Sequence, residues 1–114
     1  MPDPVSHADV DAWVERYLSF MQTHGAFILA AQSAPIDDDV RERSARMQMR
    51  VAWLLGVGLR AKQRVKTQAP EALGVALQAM LERSWYMLRV QRLPIGDDDV
   101  RATISSIILS VIEN

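Results

Sequence analysis

PIDDDVRERS (residues 35–44) returns in near copy as PIGDDDVRATIS (residues 94–105). Both carry Pro-Ile, three aspartates and Val-Arg, and the reading of the aspartates decides the fold. As metal ligands they fit poorly. A calcium loop takes oxygens from alternating positions, a central glycine and a distant bidentate Glu. Asp37, Asp38 and Asp39 are consecutive, as are Asp97, Asp98 and Asp99, so their side chains diverge and no Glu stands at that spacing. No metal and no cofactor are expected. As helix starts they fit well. An Asp at the N-cap accepts backbone N–H groups that lack an intrahelical partner. Further carboxylates in the first turn face the positive end of the helix dipole. Asp37 and Asp97 are therefore the expected caps of two helices.

Working outward, nearly every segment has helical spacing. Residues 1–6, with two prolines, read as a flexible arm, and residues 7–114 as one domain. Ser6 or Asp9 can cap a first helix, HADVDAWVERYLSFMQTH, whose Val10, Trp13, Tyr17, Phe20 and His24 recur in steps of three and four. Gly25 is expected to interrupt it, a short helix AFILAAQ to follow, and Pro35 to stop that. A third helix runs from the first aspartate triplet to about Lys66. Its middle, MQMRVAWLLGVGL, is apolar nearly all round, which predicts burial on every side. Gly56 and Gly58 within it imply close approach of another helix, or a kink. The cations of RAKQRVK sit at its negative end. The fourth helix, EALGVALQAMLERSWYMLRVQ, places Leu73, Leu77, Met80, Ser84, Met87 and Leu88 on one face. Ala72, Val75, Ala79, Tyr86 and Val90 form a second stripe opposite. The fifth, VRATISSIILSVIEN, has an apolar arc wider than one core needs. The expected fold class is all-α, a bundle of about five helices.

The chain has 114 residues, 49 % of them hydrophobic, with net charge -1 and no cysteine. This balance suits one globular domain. It argues against a dedicated nucleic-acid surface, and no disulfide or thiolate chemistry is possible. No apolar run approaches the roughly 18 residues of a membrane span, and the acidic start is no signal peptide. A cytoplasmic protein without membrane attachment is expected.

Three stretches carry a family resemblance. VDAWVERYLSFMQTHGAFILAAQ is similar to a helix with a YL-x-F core followed by a short helix. DDDVRERSARMQMRVAWLLGVGLRAK is similar to a long central helix that lines an effector pocket. In the last stretch, APEALGVALQAMLERSWYMLRVQRLPIGDDDVRATISSIILSVIEN, the EA-x-x-x-A-x-x-A-M-x-E opening and the D-x-x-x-x-x-x-I-x-x-I finish resemble a closing helix pair. Together they resemble the C-terminal, effector-binding and dimerisation domain of TetR-family transcriptional regulators. The resemblance implies a homodimeric repressor that binds a small apolar effector. It also implies DNA as a partner only through an N-terminal helix-turn-helix domain, which no stretch here fits. The expectation is a fragment of such a regulator or a lone regulatory domain.

The candidate ligand-binding residues are Trp13, Tyr17, Phe20, Met21, His24, Met49, Trp53, Met80 and Ser84. They are set against plain core packing, the usual role of aromatic stripes and methionines. Trp53 has two readings: a Trp buried at mid-helix with Arg46, Arg50, Arg60 and Arg64 reaching water, or one wall of an arginine-fringed cavity. The pocket is expected between the first, third and fourth helices. The dimer interface is expected on the last two helices, at Leu77, Leu81, Trp85, Leu88, Ile104, Ile108, Leu109, Val111 and Ile112, with a helical interaction module that takes no ligand as the alternative. No nucleophile has a base at recognisable spacing, His7 and His24 make no metal spacing, and no enzyme activity is expected.

Overall fold

The computed structural model describes residues 5–33 and 37–113. Four helices account for most of them: α1 (His7–Ser33), α2 (Asp38–Lys62), α3 (Pro70–Arg89) and α4 (Asp97–Glu113), and no strand occurs among the described residues. The fold is all-α. The helix starts show why. Ser6 and Asp9 form a reciprocal cap: the Ser6 hydroxyl accepts from the Asp9 N–H at 3.2 Å, and the Asp9 carboxylate accepts from the Ser6 N–H at 2.9 Å. The Ser6 N–H, and then the Ser6 hydroxyl, donate to the Asp9 carboxylate and hold it below its ordinary pKa. Asp37 caps α2 by accepting from the Val40 N–H at 2.9 Å. Asp97 stands one residue further in, as the first residue of α4, and its carboxylate pairs with Arg89. Of the expected flexible arm, residues 1–4 lie outside the described residues, whereas Val5 packs on the core. The stop expected at Pro35 also lies outside them.

α2 lies along α3, and α1 along α4. The core is where the pairs meet: Val10 and Val14 of α1, Leu59 of α2, Leu77 and Leu81 of α3, and Ile104, Ile108 and Ile112 of α4. The α2–α3 crossing is backbone on backbone. A Cβ on Gly74 would lie 2.5 Å from the Ala52 carbonyl carbon, and one on Gly56 would lie 2.6 Å from that of Pro70. Ala52 and Gly56, four apart on α2, meet Pro70 and Gly74 of α3 there. Gly58, two residues on, faces open space.

Two expectations are corrected. Gly25 does not end a helix, so the first two expected helices are one. Its missing side chain makes room for Trp85, whose ring would stand 2.5 Å from a Cβ there. The helix therefore absorbs the propensity cost of a glycine, about 1 kcal/mol, in exchange for close packing. The second correction concerns α2, which is not buried on every side. Met47 is 70 % exposed, Leu54 64 % and Trp53 45 %, and only Ala52, Gly56 and Leu59 are buried. So Trp53 is not a buried mid-helix anchor. The molecule measures 17 Å along its shortest axis. Packed helix axes are about 8–10 Å apart, so there is room for two layers and no third. Each helix keeps an outer face.

α2 also stops at Lys62, short of Lys66, because residues 63–69 cap two helix ends at once. The Arg64 N–H and Gln63 Nε2 donate to the Ile112 and Val111 carbonyls of α4, and Lys66 Nζ donates to the Arg60 and Ala61 carbonyls of α2. Arg60 Nε donates to the Thr67 carbonyl. Gln63, Arg64 and Lys66 thus donate to carbonyls at the C-terminal ends of α4 and α2, where intrahelical donors run out. No described helix is long and apolar enough to cross a membrane.

Candidate ligand-binding cleft

A cleft of about 400 Å³ opens where the second half of α1 faces α3, with Gln48, near the middle of α2, at its rim. Gly25 positions it: the glycine admits the Trp85 ring, and the ring becomes the cleft's inner wall. α1 supplies Met21, Ile28 and Leu29, and α2 supplies Gln48. Val75, Gln78, Ala79, Glu82 and Tyr86 share one face of α3 and form the other wall. Arg83 completes it and lies over the Tyr86 ring, 4.5 Å from the ring centre, a cation–π contact.

The polar groups are few. Gln78 is 8 % exposed and turned into the cleft. Trp85 is equally buried, and its Nε1–H has no hydrogen-bond acceptor among the described residues. The same ring walls a second cleft, of about 240 Å³, between α1, the end of α3 and the start of α4. There Arg89 pairs with Asp97, and Arg101 lies 3.3 Å from Asp98 and 3.6 Å from Asp11. The buried Ser105 hydroxyl donates to Asp11 at 3.0 Å and ties α4 to α1. Nearby on α1, burial, and then the negative charge of Glu82, push the Tyr17 phenol up to about 12.

Of the residues read from the sequence as ligand-binding, Met21 alone lines this cleft. Trp13, Tyr17, Phe20 and His24 do form a ladder, with ring centres 5.6, 6.3 and 4.7 Å apart. It runs from the core, against which Trp13 and Tyr17 pack, out to Phe20 and His24 in solvent. Met49 and Trp53 lie on the open face of α2, Met80 packs on the core, and Ser84 is half-buried away from the cleft. The second stripe of α3 contributes Val75, Ala79 and Tyr86. Gly25, Gln78 and Trp85 had no ligand signal in the sequence, since a glycine four residues beyond Met21 reads as a break.

The expected interface residues sit mostly inside. Leu77, Leu81, Ile104, Ile108 and Ile112 form the chain's own core, Trp85 lies under α1, and Leu88, Leu109 and Val111 are partly buried. α1 covers the arc of α4 that looked unpartnered, and Ile107, 46 % exposed, is what remains open there. No cluster of three metal-ligating side chains occurs among the described residues. Comparison with protein-family models, with curated proteins and with solved structures finds no match.

Proposed function

We propose that this chain is the regulatory domain of a TetR-like transcriptional repressor, binding a small apolar effector in the α1–α3 cleft and acting as a cytoplasmic homodimer. The observation that carries the reading is the cleft itself. About 400 Å³ walled by Met21, Ile28, Leu29, Val75 and Trp85, with Gln78 turned inward, is the size and make-up of a small-molecule site. α1, α2 and α3 meet there, so a ligand touching all three changes how they sit together. Such a ligand shifts a conformational equilibrium only by its differential affinity for the two states. Contact with DNA belongs, in this reading, to a helix-turn-helix unit outside these residues. The chain itself binds and transmits; it does not catalyse.

The pairing surface is drawn from side chains the chain leaves open on α3 and α4, among them Met87 and Ile107. One observation favours a second reading, a helical interaction module without a ligand: the open apolar face of α2, at Met47, Trp53, Leu54 and Val57. Exposed apolar patches of this kind commonly mark protein partners.

A thermal-shift screen of small apolar compounds on the wild type and on Ala79→Phe separates the two. Ala79 is exposed on the cleft wall, so a phenyl group there fills the cleft without entering the core. A true effector at a hundredfold excess over Kd stabilises the wild type by about 2.7 kcal/mol and leaves Ala79→Phe unmoved. No shift with any compound, or equal shifts in both proteins, contradicts the effector reading.

A further inference from the structure

The cleft holds one polar feature that the packing leaves unexplained. Trp85 is 8 % exposed, and neither water nor any described acceptor reaches its Nε1–H. Buried donors are normally paired, and an orphan is held at a cost that an incoming acceptor can recover. The ring is also the partition between the two clefts, of about 400 and 240 Å³. The ring packs directly on Gly25, where no Cβ would fit. To serve a ligand in the larger cleft, which the ring lines, Nε1 must turn toward it.

The charges there select no ion. The wall of the larger cleft carries one acid, Glu82, and one base, Arg83, which cancel. In the smaller cleft Arg89 and Arg101 already face Asp97 and Asp98. Gln78 offers both a donor and an acceptor and so discriminates little. An indole N–H is a donor only. From these facts, and resting on the effector reading of the cleft, we propose that Trp85 sets ligand specificity. Its Nε1–H donates to a neutral acceptor oxygen, a ketone, ester or amide carbonyl, on an otherwise apolar molecule.

The test uses two probes of nearly one shape, benzophenone and diphenylmethane, which differ by a carbonyl in place of a methylene. Each is titrated into the isotope-labelled full chain, and the indole N–H signals are followed by proton–nitrogen NMR. Trp13→Phe and Trp53→Phe identify the Trp85 signal by elimination. The expected result is that benzophenone binds about tenfold more tightly, a typical worth for satisfying a buried donor. It also moves the Trp85 signal downfield, whereas diphenylmethane does not. In Trp85→Phe the preference for benzophenone over diphenylmethane disappears. Equal binding of both probes to the wild type, or a preference that survives in Trp85→Phe, overturns the role of Trp85 and leaves the cleft reading standing. If neither probe binds the wild type, the cleft reading falls and this inference with it.

Discussion

Replacing Gly74 with alanine isolates the contact that joins α2 to α3. The added Cβ would sit 2.5 Å from the Ala52 carbonyl carbon, 3.0 Å from its Cα, and closer still to its oxygen. Carbon atoms pack best at about 3.5–4.0 Å, so the helices must part by roughly 1 Å. Every atom involved is backbone, so no rotamer change relieves the clash. Overpacking of this kind costs about 1–3 kcal/mol, and rigid backbone places it near the upper end. Against that, alanine gains about 1 kcal/mol of helix propensity over glycine. The net loss is about 2 kcal/mol, which lowers Tm by about 10 °C in a domain of this size. Gly58→Ala is the internal control. It carries the same propensity gain into open space, so it should raise stability by about 1 kcal/mol. Urea unfolding followed by circular dichroism reads both variants. A Gly74→Ala protein as stable as wild type would refute the close crossing, and with it the placement of α2 on the rim.

Four further outcomes follow from the geometry. Ser105→Ala removes a buried hydroxyl that donates to Asp11 at 3.0 Å, and should cost about 1–2 kcal/mol. Asp11→Ala should cost more, because the Ser105 hydroxyl and the buried Arg101 Nε both lose their nearest carboxylate; the reverse order in urea titrations contradicts this pairing. Arg92 has φ 53, a left-handed conformation that costs a side chain roughly 1 kcal/mol or more, so Arg92→Gly should raise Tm by a few degrees, and a lowered Tm counts against that loop conformation. Tyr17 should ionise near 12 in a Tyr86→Phe background, as read by tyrosinate absorbance. A raised pKa favours the neutral phenol in the fold, so its contribution is full below about pH 10 and fades as pH climbs through about 12; a midpoint near 10 contradicts the burial of Tyr17.

Local signals were legible in the sequence where the physics is local. The Asp37 cap depends on a few neighbouring residues, and the triplet reports it directly. Helical spacing likewise set Trp13, Tyr17, Phe20 and His24 on one face, as their ring separations show. Spacing cannot say what that face meets. Gly25 shows the limit clearly: a break and a close contact look alike until Trp85, 60 positions away (85 minus 25), is placed on it. The apolar middle of α2 misled for a related reason. Burial depends on how many layers the fold stacks, and a slab 17 Å thick covers only one side of a helix. The cleft was half visible. The smaller stripe of α3 holds Val75, Ala79 and Tyr86, but its opposite wall needed α1 to continue past Gly25.

The most direct test of the proposed regulator is native mass spectrometry of the gently purified chain. It reads oligomeric mass and any retained small molecule in one spectrum. The account predicts a dimer carrying a small apolar adduct, which Ala79→Phe no longer retains. A bare monomer from the wild type would contradict it, and would shift the reading to an interaction module whose open α2 face awaits another protein.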